Sequence, residues 1–244
     1  MPYRNTFFEK DRPVHVISRA LMNVFSDKDD CYRFIFYLYA SNLGKRGFNI
    51  STNDIAKAGR ALLCGETLSS RFVINEHPPL VEILDFSLVV NHDHFYLLPK
   101  IENAIPILMQ RLNNSFAKSF NLKYNRKDAV FGSRYKGVVI KDDRQSYAVS
   151  RYVSIMNPLD VFQPGWRENG LKDIMGARKF LENYEFSSFP DKIGKRNSKI
   201  LASSEILNQY SFGVFSGNRG EYENFVEEFL KERQEQDYSF LFLE

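Results

Sequence analysis

The sequence lacks any segment typical of a targeting signal or a membrane span. Its first residues, MPYRNTFFEKDRP, are charged and contain no apolar stretch of the kind found in secretion signals. No window approaches the about 18 uninterrupted apolar residues that a membrane span needs. Only two cysteines are present, Cys31 and Cys64, and they form no CxxC or zinc-like group. We therefore expect a soluble, cytoplasmic protein that contacts no membrane and has ordinary reduced thiols.

The common nucleotide and hydrolase motifs are also missing. There is no Walker loop, no GxSxG, no HExxH and no Rossmann glycine pattern. The stretch GSRYKG lacks the Lys-Ser/Thr pair with which a phosphate-binding loop ends. These absences argue against kinases, NTPases, serine hydrolases and NAD-dependent enzymes.

Hydrophobic residues make up 43% of the 244 residues and aromatic residues 15%, which is ample for a packed core. The net charge of +3 is unevenly distributed. Residues 100–151 contain eleven basic and four acidic side chains, whereas residues 220–244 contain eight acidic and two basic ones. This asymmetry indicates a middle region that binds a polyanion and an acidic, helical end. Two solvated faces of opposite charge are the alternative.

The hydrophobic patterns predict the order strand, helix, two strands, helix, strand, helix. Strands are predicted at 13–19, 81–90, 91–99 and 137–141, and a helix from Asp27 onward. A further helix, capped by Asp142 or Asp143, is predicted to run to about Met156. This irregular alternation favours an α+β sandwich with an antiparallel sheet.

Two regions are predicted. Residues 1–165 form the main domain, with an insertion near 49–80 that contains a short helix capped by Thr52 or Asn53. Residues 166–244 form a helical C-terminal region, with helices at about 171–184, 203–210 and 219–236. We expect a packing or protein-contact role for 219–244, because its acidic helix would be repelled by phosphate, and the helix near 203–210 is the candidate DNA contact.

His92 and His94 lie two residues apart in a predicted strand. Side chains at i and i+2 of a strand point to the same face, so both imidazoles can reach one ion. Two imidazoles and one further donor suit a divalent metal that polarises a phosphate. The alternative is a pair of exposed or core histidines.

Tyr152 and a basic segment are the other candidate functional residues. A tyrosine hydroxyl can attack phosphorus once a base or metal activates it, although Tyr152 also shares a helical stripe with Ala148 and Ile155 and could simply pack there. In the segment 131–143, Arg134 and Lys136 flank Tyr135. Basic and aromatic side chains in this arrangement are typical of single-stranded nucleic-acid binding, and a plain basic loop is the alternative.

Five ordered segments resemble the single-tyrosine HUH transposases, including the REP-associated tyrosine transposases. VHVISRALMNVFSDKDDCYRFI is similar to the opening strand and helix of that family, and SLVVNHDHFYLL to its His-hydrophobic-His strand. FGSRYKGVVIKDD, RYVSIMNP and FLENYEFSSF resemble its later elements, so the resemblance covers residues 13–189.

The resemblance implies a ferredoxin-like fold with a central antiparallel sheet. It also implies cleavage and rejoining of hairpin-bearing single-stranded DNA with Mg²⁺ or Mn²⁺, through a 5′-phosphotyrosine on Tyr152. His92, His94 and Asn157 are the implied metal ligands. Arg134, Lys136, Tyr135, Arg151 and Arg19 are the implied DNA contacts. Family members occur as monomers and as homodimers, and both states stay open here.

The sequence departs from the family at two positions. Asp93 stands between the histidines, where the family has an apolar residue, and alternation predicts that its carboxylate points to the opposite face of the sheet. Asn157 comes five residues after Tyr152, whereas the family places asparagine at four, and a one-residue helix bulge would restore its position. Because of these departures, an inactive nucleic-acid-binding protein on the same fold is the alternative function.

Overall fold

The computed structural model describes residues 8–211 and 219–231, and its centre is a four-stranded antiparallel sheet. The strands of this sheet lie in the order β4-β5-β1-β6, and β2 and β3 form a separate two-stranded antiparallel sheet. The strands are β1 Val14–Arg19, β2 Gly44–Arg46, β3 Val73–Asn75, β4 Val81–Val89, β5 His92–Pro99 and β6 Lys136–Val139.

Helices cover both faces of the sheet. They are α1 Lys28–Leu43, α2 Thr52–Leu63, α3 Ala104–Lys123, α4 Asp143–Arg151, α5 Asn157–Phe162, α6 Trp166–Asn169, α7 Ile174–Asn183, α8 Phe189–Lys192, α9 Ser204–Tyr210 and α10 Arg219–Lys231. A π-helical turn, Tyr152–Met156, joins α4 to α5. The short helices α6 and α8 were not predicted from the sequence, and residues 232–236 of the predicted last helix lie outside the described residues.

The strand order confirms the predicted ferredoxin-like α+β fold. α1 lies between β1 and β4 in the chain, and α3 lies between β5 and β6, so the first strand is central and the last is at an edge. The predicted insertion, near 49–80, contains α2 and β3, and β2 lies just before it. The cap of α2 is Ser51, whose hydroxyl accepts from the amide of Asp54. The prediction of Thr52 or Asn53 as the cap was wrong by one or two residues, because any of these polar side chains can cap a helix.

The face of the sheet covered by α1 and α3 holds the larger hydrophobic core. Phe34 of α1 packs between Phe95 of β5 and Phe116 of α3, with ring centroids 6.2 and 5.0 Å away. α1 begins at the predicted place because Asp27 caps it by accepting from the amides of Asp29 and Asp30. This core fixes β5, and with it the two histidines, in the middle of the sheet.

The opposite face is covered by α4, α5 and the C-terminal helices, which share a second core with Leu84 and Tyr96 of the sheet. A buried polar cluster lies in it. The ammonium group of Lys192 is 3.0 Å from the carboxylate of Asp85, and Ser150, Ser188 and Ser211 donate to the same carboxylate. Lys192 is fully buried, and Arg151 of α4 stacks over Phe229 of α10 at 5.1 Å. The acidic helix α10 therefore has the packing role that we expected, within its described residues.

The helix that carries Tyr152 begins where predicted and ends later than predicted. Asp142 caps α4 by accepting from the amide of Gln145. The chain then forms the π-helical turn, in which the amide of Asn157 donates to the carbonyl of Tyr152, and continues as α5. The prediction that the helix ends near Met156 was wrong. Pro158 is the second residue of α5 and follows the π-helical turn directly.

Candidate active site

Three histidines lie on the sheet face that α4 and α5 cover. In the strand register, Ile17 of β1 is opposite His94, and Arg19 is opposite His92. His15 is two residues before Ile17 and therefore points to the same face. His15 Nε2 and His94 Nδ1 share a hydrogen bond of 3.1 Å, and the ring centroids of His92 and His94 are 4.9 Å apart. Sequence reasoning identified His92 and His94 but missed His15, because its proximity depends on the strand register.

Burial favours the neutral form of the His92 and His94 imidazoles. Burial lowers the pKa of His92 to about 4, and the positive charges of Arg19 and Arg167 add to this effect. Burial also holds the pKa of His94 well below its ordinary value, and the neighbouring histidines and arginines act in the same direction. A neutral imidazole can accept a proton or bind a metal, so both roles are chemically open to the pair.

The π-helical turn brings Tyr152 to the histidines. Its ring centroid is 5.5 Å from that of His94 and 5.6 Å from that of His15. The phenol carried by the helix therefore lies next to the histidines on the strands, as we expected. The side chain of Tyr152 is only 1% exposed, and the guanidinium of Arg167 lies 5.3 Å from the centre of its ring. In this conformation the phenol is covered.

The helix bulge that Asn157 would need to regain the family position is present as the π-helical turn, and it places Asn157 one turn beyond Tyr152. The amide oxygen of Asn157 accepts from Arg167 Nη2 at 3.3 Å. Arg167 is itself held by Asp160, which accepts from Nη2 at 2.7 Å and also from the indole N–H of Trp166 at 2.8 Å. Sequence reasoning assigned residues 163–170 no functional role, so Arg167 was missed. The sequence offered only the adjacent pair Trp166-Arg167, and one basic residue beside one aromatic residue is a weak indication of a binding site.

The donors do not form a complete metal site in this arrangement. Within residues 8–211 and 219–231, no group of three or more His, Cys, Asp or Glu side chains is placed to hold a metal ion. His94 Nδ1 is hydrogen-bonded to His15, and the side-chain oxygen of Asn157 accepts a hydrogen bond from the guanidinium of Arg167. A second cation next to that guanidinium would be repelled. Binding of Mg²⁺ or Mn²⁺ by His92, His94 and Asn157 stays a prediction.

Asp93 lies on the other face of the sheet, as alternation predicted. It is opposite Ser18 of β1 and Leu88 of β4, and it is fully buried. Neither carboxylate oxygen has a hydrogen-bond partner among the described residues. Burial raises the pKa of Asp93 well above its ordinary value, although the nearby amide of Ser18 acts in the opposite direction. Asp93 thus sits in the core, away from the histidines, where burial disfavours its charged form.

The five predicted DNA contacts lie in different surroundings. Arg19 is exposed and lies beside His92, and Lys136 is exposed and opposite Ile17, on the face of His94. Arg134 is exposed in the loop before β6. Tyr135 is half-buried against Phe8, and burial raises its pKa to about 12. Arg151 stacks on Phe229 of α10 and is therefore directed away from the histidines. The other three basic residues lie at the end of the sheet where His92 lies, and we call them the cationic rim: Arg19, Arg134 and Lys136.

No family model and no curated protein matches this sequence. Among solved structures, the chain is similar to a REP-associated tyrosine transposase bound to a REP hairpin, with a TM-score of 0.45 and 12% sequence identity. That match covers 83% of this chain and 92% of the other. Among the helices of the described residues, none is long and apolar enough to cross a membrane.

Proposed function

We propose that this protein binds hairpin-bearing single-stranded DNA on its histidine face and cuts and rejoins it through Tyr152. One observation carries the proposal: the π-helical turn holds the Tyr152 ring 5.5 Å from His94. The motif resemblance in the sequence pairs the same three residues, His92, His94 and Tyr152. Two independent lines of reasoning, from motif and from geometry, thus favour one site.

The charge distribution suits a phosphodiester substrate. Arg19 and Arg167 both lower the pKa of His92 through their charge, so their positive potential reaches the imidazoles. Lys136 extends from the same face. Such a potential attracts DNA phosphates and opposes binding of cationic ligands.

The proposed reaction is a transesterification. The phenolic oxygen of Tyr152 forms a bond to the scissile phosphorus, and the bond from phosphorus to the 3′ oxygen breaks. The phenol gives its proton to Nε2 of His94, which has no hydrogen-bond partner among the described residues and is unprotonated when His94 Nδ1–H donates to His15 Nε2. Burial makes this imidazole a weak base, and the negative charge of the bound phosphate opposes that effect. The leaving 3′ oxygen takes a proton from water. The resulting 5′-phosphotyrosine keeps the energy of the phosphodiester, so rejoining needs no nucleotide triphosphate.

Binding without cleavage is the second candidate function. It is favoured by the burial of Tyr152, which is 1% exposed beneath Arg167. In this alternative, the cationic rim holds the DNA by phosphate contacts and hairpin shape, and the phenol only packs.

A covalent-adduct assay separates the two candidates. Labelled hairpin-bearing single-stranded DNA is incubated with the wild type, Tyr152→Phe and the control Tyr147→Phe, with Mn²⁺, with Mg²⁺ or with EDTA. Tyr147 lies on α4 and is 51% exposed, so its variant also loses a tyrosine hydroxyl on the same helix. We expect an adduct that survives a denaturing gel in the wild type and the control, and none in Tyr152→Phe.

Retained binding without an adduct under every condition would show that the protein binds and does not cut. Absence of salt-dependent binding would contradict both candidates.

A further inference from the structure

Arg167 is placed at the candidate site in a way that the motif resemblance does not explain. Two of its guanidinium nitrogens, Nε and Nη2, donate to Asp160. The third nitrogen, Nη1, is buried and has no hydrogen-bond partner within the part of the chain that the structure describes. A buried donor without a partner costs free energy unless a ligand satisfies it.

We propose that Arg167 Nη1 binds a non-bridging oxygen of the DNA phosphodiester, and that its charge replaces the metal ion that the resemblance implies. This inference rests on the proposed function, since it assigns the group that receives the phosphate. The ligand class is a phosphodiester of single-stranded DNA, and Arg167 contacts it directly.

The orientation of the guanidinium supports this role. Asp160 accepts from Nε and Nη2 of the guanidinium, and the centre of the Trp166 ring lies 5.2 Å from its central carbon. These contacts fix the plane of the guanidinium and therefore the direction in which Nη1 points. The central carbon of the guanidinium lies 5.3 Å from the centre of the Tyr152 ring, so a phosphate bound by Nη1 would lie close to the Tyr152 side chain. A guanidinium held in this way donates strong, directional hydrogen bonds to phosphate.

The same arrangement disfavours a metal ion. The guanidinium engages the oxygen of Asn157, the expected third ligand, at 3.3 Å. A divalent ion bound there would lose a ligand and face a fixed positive charge at short range.

The test uses the full chain with two measurements. The first is the affinity for a fluorescent hairpin-bearing oligonucleotide, in EDTA, for wild type, Arg167→Gln, Arg167→Lys and the control Arg126→Gln. Arg126 follows α3 on the opposite face of the sheet and lies 3.8 Å from Asp128. Its Nε is also buried without a partner among the described residues, so its variant removes the same charge and a similar donor elsewhere. We expect about a tenfold or greater loss of affinity for Arg167→Gln, a smaller loss for Arg167→Lys and little change for the control.

The second measurement is a Mn²⁺ titration followed by electron paramagnetic resonance. We expect the wild type to bind no stoichiometric Mn²⁺ that depends on His94. Equal DNA affinity of Arg167→Gln and wild type would overturn the inference, provided that thermal melting shows both to be folded. So would stoichiometric Mn²⁺ binding by wild type that is lost in His94→Gln. Failure of the proposed strand cleavage is a separate result, because it appears as DNA binding that depends on Arg167 without any covalent adduct.

Discussion

The buried state of His92 gives the protein a defined sensitivity to acid. Its pKa is lowered from 6.5 to about 4, first by burial and then by the charges of Arg19 and Arg167. In the unfolded chain the imidazole regains its ordinary pKa, so between these two values the unfolded state binds a proton that the folded state does not. The contribution of His92 to stability is therefore complete above about pH 6.5 and is lost as the pH falls toward about 4.

The size of this effect follows from the two pKa values. A difference of one in pKa corresponds to about 1.4 kcal/mol, so the full difference for His92 corresponds to about 3 kcal/mol. At about pH 5, roughly 2 kcal/mol of that stabilisation is gone. Because His92 keeps some contact with solvent, these figures are upper values.

Urea unfolding at about pH 7.5 and about pH 5, in the presence of EDTA, measures this loss. We expect the wild type to lose about 2 kcal/mol more than His92→Gln between the two conditions, since the variant has no imidazole to protonate at this position. His77→Gln is the matched control, because His77 lies in the insertion and contacts Arg111, away from the site. If His92→Gln loses as much stability as the wild type and the control, the account of the buried imidazole is wrong.

Two further predictions concern buried charges. Asp93→Val should raise the free energy of unfolding by about 1–3 kcal/mol, because it removes a buried carboxyl group without a hydrogen bond in the described residues. Asp93→Asn should raise the free energy of unfolding by less than Asp93→Val does. A lowered melting temperature for Asp93→Val would contradict the claim that the buried carboxyl group destabilises the core. Lys192→Met should cost about 3–5 kcal/mol, because it leaves the buried carboxylate of Asp85 without its cation. In chemical denaturation, the double variant Asp85→Leu/Lys192→Met should lose less than Lys192→Met alone, and the opposite order would count against a coupled pair.

The sequence by itself determined the features that follow from local periodicity. Alternation along β5 placed His92 and His94 on one face and Asp93 on the other, because strand side chains repeat every two residues. Capping residues located the starts of α1 and α4. Comparison with the family motif showed only that Asn157 would need a bulge to regain its position, and the π-helical turn supplies it.

The tertiary structure alone decided which distant residues share the site. His15 meets His94 only because β1 pairs with β5 in this register, and no local pattern encodes that register. Arg167 reaches Tyr152 and Asn157 because the chain turns back after α5 and Asp160 holds its guanidinium. The burial of Tyr152 likewise depends on tertiary packing, because the guanidinium of Arg167 lies over its ring. This burial is also the observation that favours binding without cleavage. Periodicity fixes the direction of a side chain, whereas its neighbours are set by the packing of segments far apart in sequence.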